Sequence, residues 1–470
     1  MSELCDRDAV ELAHLLATGE VSAREVLASH LARLEARNGE LNAVVTVTAE
    51  LAADEADACD AAHARGHRLG PLHGLPIAHK DTHATAGVRT TLGSPVFADA
   101  VPDTDALIVA RARAAGAVMV GKTNTPELAA GSQTFNPVFG ATVNPWDPAR
   151  TCGGSSGGSA VAVATGMAAV AGGSDMGGSL RNPAAFCGVV GVRPSPGRVP
   201  TWPVGLPWSN LSVDGPMGRT VADAALMLSA IAGPDARAPL SLDEPGTTFA
   251  PPRPAGPGRR IAWSPRLGDL PVERAVAEAL ATVPDVLTSL GWEVIEVDPP
   301  LGSADEVFET LRAVAFEAGW GPMVDANRDR CKDAVIWNVE AGRRLSSADV
   351  ARAERLRGQL WQRWSGFMER FDAVALPTSQ VPPFPVELEH PAEVDGVAMI
   401  NYIEWMRSCS RITVTSSPAV SLPFALDPSG LPIGLQLVGR PRGDLALLEL
   451  AAALEPATPA AGRRAPLATH

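Results

Sequence analysis

The sequence feature that most constrains the fold is a run of small residues over 152–194, CGGSSGGSAVAVATGMAAVAGGSDMGGSLRNPAAFCGVVGVRP. Small side chains let backbone segments approach one another closely, and glycine also adopts positive φ. Two Gly-rich loops, at 153–159 and 175–181, flank an Ala-rich stretch that is typical of packed structure and holds the loops together. Because a Gly-rich loop leading into a helix presents several backbone N–H groups, this region predicts a site built from main-chain donors.

Short apolar strands and amphipathic helices alternate along the rest of the chain, which predicts α/β layers around a large sheet. The spacing of leucine and valine predicts a helix over 7–36 with a break at Gly19. A second predicted helix covers 272–290, with a kink at Pro284. Seven prolines over 233–258 predict a surface excursion, and we expect residues 456–470 to form a disordered tail.

Composition excludes several classes of protein. The 470 residues include 39 Lys and Arg against 53 Asp and Glu, a formal charge of −14, which argues against nucleic acid or an anionic membrane as a partner. The six cysteines lack metal or disulfide spacing, the N-terminus lacks a signal-peptide pattern, and no apolar run reaches the length of a membrane span. These features together predict a cytoplasmic protein.

The basic residues are almost all arginine, and the only lysines are Lys80, Lys122 and Lys332. Where nearly every replaceable cation is arginine, a remaining lysine is a candidate for chemistry that needs a neutral amine. Arginine stays protonated in proteins, whereas a buried lysine can lose its proton. We interpret Lys122 as structural and Lys332 as a solvated surface residue, which leaves Lys80 as the candidate for catalysis.

Ser179 is the candidate nucleophile, because it follows two glycines whose N–H groups can converge beside its hydroxyl. A serine hydroxyl needs a base, and three histidines outside the surface helices and the tail flank Lys80, namely His73, His79 and His83. The four-residue spacing of His79 and His83 suits a metal pair, but no third ligand has compatible spacing, so we expect no metal. A neutral Lys80 is the alternative base, and the rarity of lysine favours it.

Five segments resemble successive blocks of the amidase signature family of serine hydrolases: GLPIAHKDTHATAGVRTTLGS, GKTNTPELA, NPWDPARTCGGSSGGSAVAVATG, GGSDMGGSLRNPAAFCGVVGVRP and VDGPMGRTVADAA. The resemblance covers most of the chain and is weakest over about 236–370. It implies an α/β fold in which one large mixed β-sheet is flanked by α-helices. It also implies that residues 1–455 form a single amidase signature domain.

The resemblance also implies a set of site residues and no cofactor. The family's Ser–cis-Ser–Lys triad falls on Ser179 as nucleophile, Ser155 as the bridging serine after a cis peptide, and Lys80 as base. The oxyanion hole falls on the backbone N–H groups before the nucleophile, those of Met176, Gly177 and Gly178, together with Ser179 itself. Three residues are expected to support this set: Ser156 by holding the cis loop, and Asp175 and Arg181 by pairing across the nucleophile loop.

The substrate pocket is expected beside the nucleophile, where the resemblance assigns Ala129, Ala130 and Gly131 to the acyl channel. Small residues there would leave room for a bulky group. Five tryptophans are candidates for an aromatic-tolerant wall, although ordinary packing explains each one singly: Trp202, Trp208, Trp320, Trp337 and Trp405.

The expected function is hydrolysis of small or hydrophobic amides, aryl amides included, with esters and carbamates (urethanes) as further substrates. The partner is then a small molecule, and the protein is a monomer or a homodimer. Two alternatives stay open. One is a tRNA-dependent amidotransferase subunit that works with partner chains, although Phe135 stands where many relatives have a polar residue. The other is a binding or scaffolding protein that has lost turnover.

Overall fold

The computed structural model describes residues 3–468. Fifteen strands occur within these residues: β1 (Val44–Val47), β2 (Pro76–Lys80), β3 (Val118–Thr123), β4 (Phe135–Asn136), β5 (Gly140–Ala141), β6 (Val170–Asp175), β7 (Val190–Arg193), β8 (Val213–Gly218), β9 (Arg260–Trp263), β10 (Glu293–Glu296), β11 (Ala373–Pro377), β12 (Glu393–Val394), β13 (Val397–Ala398), β14 (Ala419–Leu426) and β15 (Pro432–Gly439). Many of these β-strands are fully buried, among them β2, β3, β7, β8 and β15.

Eleven of these strands form one mixed sheet, in the order β1-β3-β2-β6-β8-β7-β14-β15-β11-β9-β10. Strands β3, β2 and β6 are parallel neighbours, and β11, β9 and β10 are a second parallel group. The strands between these groups pair antiparallel. The prediction of a single large mixed sheet flanked by helices is therefore confirmed.

The helices surround this sheet. Fourteen α-helices lie within the described residues: α1 (Ala9–Thr18), α2 (Ala23–Leu41), α3 (Ala49–Ala64), α4 (Leu107–Ala114), α5 (Gly157–Ala164), α6 (Arg181–Cys187), α7 (Val221–Ile231), α8 (Arg274–Ala279), α9 (Val283–Ser289), α10 (Ala304–Asn327), α11 (Asp333–Arg343), α12 (Ser347–Met368), α13 (Arg407–Thr413) and α14 (Asp444–Leu454). Of these described helices, none is both long and apolar enough to cross a membrane.

Local sequence explains where several helices begin and end. The predicted break at Gly19 is confirmed, since Gly19 ends α1 at φ 73°, and Ser22 and Glu25 form a capping box that starts α2. The single helix predicted over 272–290 is wrong in detail. The structure has α8 and α9 with a break between them, and Pro284 lies in the first turn of α9, where its missing N–H costs nothing.

The small residues of the 152–194 run are needed for packing. Every residue of α5 is buried, and the helix packs against α6, β2, β3 and β6. A Cβ on Gly158 would lie 2.4 Å from the backbone nitrogen of Asn124, and a Cβ on Gly173 would lie 2.7 Å from Ser156 Oγ. Larger side chains would therefore push α5 away from the sheet and separate the two Gly-rich loops.

The C-terminal segment differs from the predicted disordered tail over residues 456–468. The Ala460 N–H donates to the carbonyl of Phe424, and Arg464 pairs with Asp8 at 2.9 Å. Ala465, in the same segment, is buried. Residues 469–470, the end of the predicted tail, lie outside the described residues.

Candidate active site

Lys80, Ser155 and Ser174 form a hydrogen-bonded cluster at one edge of the sheet. Lys80 is the last residue of β2, and Ser174 lies near the end of the parallel neighbour β6, so both strand ends meet there. Lys80 Nζ lies 2.7 Å from Ser155 Oγ and 3.0 Å from Ser174 Oγ. The peptide bond between Gly154 and Ser155 is cis, as the resemblance implies.

The Lys80 amine is fully buried, and this burial is the main influence on its charge. Burial lowers its pKa to about 7, while the negative charges of Asp214 and Asp175 oppose part of that change. Its two close hydrogen-bond partners are neutral hydroxyls, so no carboxylate stabilises the ammonium by direct contact. Burial therefore favours the neutral form of this amine relative to a lysine in water.

Ser179 lies on the loop between β6 and α6 and lines the same cavity as Ser155 and Ser174. Ser156 ties the two Gly-rich loops together: its N–H donates to the Ser179 carbonyl at 3.1 Å, and its hydroxyl donates to the Ser174 carbonyl at 3.3 Å. The expectation that Ser156 holds the cis loop agrees with these contacts. The structure contains no hydrogen bond between the hydroxyls of Ser155 and Ser179, both of which it describes, so side-chain rotation is needed to join them.

Asp175, Arg181 and Arg193 form a fully buried charge cluster beneath the loop that carries Ser179. Arg181 donates to both carboxylate oxygens of Asp175, at 2.8 and 3.0 Å, and Arg193 donates to Oδ1 at 3.2 Å. Burial alone would raise the pKa of Asp175, but the charge and hydrogen bonds of Arg181, with Arg193 behind them, hold it well below its usual range. Asp175 and Arg181 thus pair as expected, and Arg193 also binds the same carboxylate.

The backbone N–H groups before Ser179 differ in their availability. The Gly178 N–H donates to Asp175 Oδ1 at 3.0 Å, so this donor is already used. The N–H groups of Met176, Gly177 and Ser179 have no hydrogen-bond acceptor among the described residues. The structure therefore corrects the predicted oxyanion hole: Gly178 shapes the loop with its φ of 119°, and three other N–H groups remain free for an oxyanion.

A cavity of about 560 Å³ opens beside Ser179, within the size range of small-molecule sites. Ala129 and Gly131 line it, as predicted for the acyl channel. Ala130 does not, because its side chain is fully buried away from the cavity, and this part of the prediction is wrong. Trp202 and Trp320 also contribute to the wall.

The other candidate tryptophans lie elsewhere. Trp208 is 74% exposed and Trp337 is 39% exposed, whereas Trp405 is buried in a core cluster of aromatic and aliphatic side chains. None of these three tryptophans lines the cavity: two lie at the surface and one packs in the core.

Sequence reasoning did not identify several cavity residues. Asp214 lies opposite Ser174 in the pairing of β6 with β8, and its Oδ1 is 3.3 Å from Nε2 of His83. Lys122, interpreted from the sequence as structural, lies behind the cavity wall: it is buried, burial lowers its pKa to about 8, and it donates to the carbonyl of His83. Ser174 and Asp214 lie inside two of the five segments that resemble the amidase signature family, so the sequence could have indicated them as site residues. Arg312, on α10, lies in the region of weakest resemblance, where no motif indicated a site residue.

The comparisons with known proteins agree with this fold and site. The family described as Amidase matches residues 25–448. The chain therefore belongs to the amidase signature family and is an amidase-family hydrolase.

Similar proteins include an acylamidase and a component of a tRNA-dependent amidotransferase. The chain is 35% identical to an acylamidase of Rhodococcus erythropolis, over 97% of this chain and 96% of that protein. It is 38% identical to a glutamyl-tRNA(Gln) amidotransferase subunit of Moorella thermoacetica, over 97% of each. The solved structure of a bacterial aryl acylamidase of the amidase signature enzymes superposes with a TM-score of 0.88 at 29% identity, covering 96% of both chains.

Proposed function

We propose that this chain hydrolyses the C–N bond of small or hydrophobic amides, aryl amides among them, through an acyl-enzyme on Ser179. The observation that carries the proposal is the 2.7 Å hydrogen bond between Lys80 Nζ and Ser155 Oγ beside a cavity that Ser179 also lines. A buried amine whose pKa is about 7 offers a free lone pair to a neighbouring hydroxyl at neutral pH.

In this mechanism the proton passes from Ser179 through Ser155 to Lys80. Neutral Lys80 accepts the proton of the Ser155 hydroxyl, and Ser155 takes the proton of Ser179 as Ser179 Oγ attacks the substrate carbonyl. The relay then reverses and protonates the leaving amine when the C–N bond breaks. Water, deprotonated by the same path, cleaves the acyl-enzyme and restores Ser179. Rotation of the Ser179 side chain toward Ser155 on substrate binding completes the path.

The negative charge of the tetrahedral intermediate falls on the former carbonyl oxygen. We assign its stabilisation to the N–H groups of Met176, Gly177 and Ser179, which have no other acceptor among the described residues. The buried cluster around Asp175 holds this loop in place through the Gly178 and Leu180 N–H groups, so the donors are oriented before the reaction begins.

The cavity wall supports a substrate with an apolar body. Leu92, Leu128, Phe316 and Trp320 contribute apolar surface, and Ala129 leaves space near the nucleophile. The names of the similar acylamidase and aryl acylamidase support the same substrate class. Esters and carbamates share the carbonyl geometry of amides and would react through the same acyl-enzyme, so urethane hydrolysis is included in the proposal.

The test is turnover of 4-nitroacetanilide and larger nitroanilides by purified wild-type protein, Ser179→Ala and Ser209→Ala. Ser209 lines the same cavity, and its side chain has no hydrogen bond within residues 3–468, so it is a matched control for loss of a hydroxyl. We expect Ser179→Ala to lose activity and labelling by a fluorophosphonate, and Ser209→Ala to keep both. Full activity in Ser179→Ala would reject the proposal, and the absence of labelling in wild-type protein would favour a binding role.

A second candidate is a component of a tRNA-dependent amidotransferase that acts with partner chains, because a glutamyl-tRNA(Gln) amidotransferase subunit is 38% identical over nearly the whole chain. Phe135 argues against it, because many relatives have a polar residue at this position, whereas here the centre of an aromatic ring lies 4.0 Å from the Lys332 amine. Activity of the purified chain alone on simple amides would favour the hydrolase.

A further inference from the structure

Arg312 is a buried arginine that lines the cavity of Ser179. It lies on α10, and only 4% of its surface is exposed. Its Nη1 donates to the Met176 sulfur at 3.3 Å, and its Nη2 donates to the Tyr402 hydroxyl. A thioether is a weak acceptor, and the hydroxyl is shared with Asn338, which also donates to it. The guanidinium is therefore anchored at one end and leaves donors unused.

No carboxylate compensates this charge among the residues that the structure describes. The Nε of Arg312 has no hydrogen-bond partner, and its guanidinium is in no ion pair within residues 3–468. Two acidic side chains in neighbouring segments, Glu309 and Glu404, pair with Arg407 instead. The cation at the cavity wall is thus left without a counterion.

This arrangement contrasts with the buried charges beneath the nucleophile loop, where Arg181 and Arg193 share Asp175. A buried cation without a counterion is costly, because it loses hydration that nothing replaces. The ring of Phe316, whose centre is 4.4 Å from the Arg312 guanidinium carbon, supplies only part of the compensation. An anion that enters the cavity would supply the rest.

We propose that Arg312 binds a carboxylate of the substrate, so that the preferred substrates are amides with an apolar body and one carboxylate. A guanidinium presents its N–H groups in a planar fork that matches the two oxygens of a carboxylate. The Nε–H of Arg312 has no acceptor within residues 3–468, and each Nη group has one proton beyond its single contact, so the guanidinium keeps donors for a carboxylate. This inference rests on the proposed function, because it assigns the substrate class of the same cavity.

The test compares matched anionic and neutral substrates. One pair is glutaryl-4-nitroanilide and its methyl ester, which differ in the acyl part, and the other is 4-acetamidobenzoate and its methyl ester, which differ in the leaving group. The proteins are wild type, Arg312→Met, Arg312→Lys and Arg274→Met, the last removing an arginine from the exposed surface of α8. Calorimetric titration with glutarate and with glutaramide measures anion binding without turnover.

We expect wild-type protein to prefer the anion in at least one pair. Arg312→Met should lower kcat/KM for that anion by about 10- to 150-fold, mainly through KM, and change its methyl ester much less. Arg312→Lys should keep part of the preference, and Arg274→Met should keep all of it. Glutarate should bind wild-type protein more tightly than glutaramide does, and this difference should disappear in Arg312→Met.

Two results would overturn the inference. One is a wild-type protein that binds glutarate no better than glutaramide and prefers neither anionic substrate, a result that needs no variant to fold. The other is an equal loss on anion and ester in Arg312→Met, which would mean that Arg312 only supports Met176 and Tyr402. If nitroanilides are hydrolysed through Ser179 without an anion preference, this inference fails while the proposed function holds. If glutarate binds at Arg312 but no amide is hydrolysed, the proposed function fails and Arg312 is an anion site without a substrate role.

Discussion

Replacing Lys80 with methionine should stabilise the fold at neutral pH while abolishing activity. Methionine fills a similar volume without a charge, and the amine it replaces is fully buried. The ordinary pKa of lysine is 10.5, and burial lowers that of Lys80 to about 7. Each tenfold change in a protonation equilibrium corresponds to about 1.4 kcal/mol, so the charged amine costs the folded state about 5 kcal/mol well below pH 7.

The sign of the pH dependence follows from these two pKa values. Between pH 7 and 10.5 the folded state binds fewer protons than the unfolded state, so the free energy of unfolding rises with pH across that window. The charged amine of Lys80 therefore costs the folded state about 4 kcal/mol at pH 7 and only about 1 kcal/mol at pH 9.5. Methionine removes this cost but loses the hydrogen bonds to Ser155 and Ser174, worth about 1 kcal/mol each.

Lys80→Met should therefore be about 2 kcal/mol more stable than wild type at pH 7 and slightly less stable at pH 9.5. Urea unfolding followed by circular dichroism at the two pH values measures the difference, and Arg274→Met on the surface is the control that should not change with pH. A difference between Lys80→Met and wild type that is the same at both pH values would refute the depressed pKa, and with it the proposed base.

Two further predictions concern charge. The kcat/KM for a neutral anilide should rise about tenfold between pH 6 and 8 as Lys80 loses its proton. Asp214→Asn should move this rise to lower pH, because the negative charge of Asp214 raises the pKa of Lys80. A pH profile of kcat/KM that is the same in Asp214→Asn and wild type would contradict this. Asp175→Asn should lower the free energy of unfolding by about 3–5 kcal/mol, because it leaves two buried guanidinium groups uncompensated. The control is the exposed ion pair of Glu293 and Arg260, where Glu293→Gln should lower the free energy of unfolding by less than about 1 kcal/mol. Urea unfolding measures both variants, and an equal loss in Asp175→Asn and Glu293→Gln would disprove the role of burial.

Lys80 and Ser179 could be proposed from the chain alone, Lys80 because lysine is rare here and Ser179 because two glycines precede it, whereas Ser155 was implied by the resemblance to the amidase signature family. Gly153 and Gly178 have φ of 73° and 119°, conformations that exclude most side chains, so glycine is required within two residues of Ser155 and Ser179. The start of α2 was equally readable, since its capping box lies within four consecutive residues. Features that depend only on near neighbours in the chain were therefore determined by the sequence.

The tertiary structure decided which groups meet and in what surroundings. Arg312 contacts Met176 from 136 positions away, and nothing local to α10 indicates that its charge would lack a counterion. The Gly178 N–H appeared free in sequence but is bound by Asp175, and the helix predicted over 272–290 is divided. The pKa of Lys80 has the same origin, because it depends on the exclusion of water by segments that only the packed sheet and helices bring together.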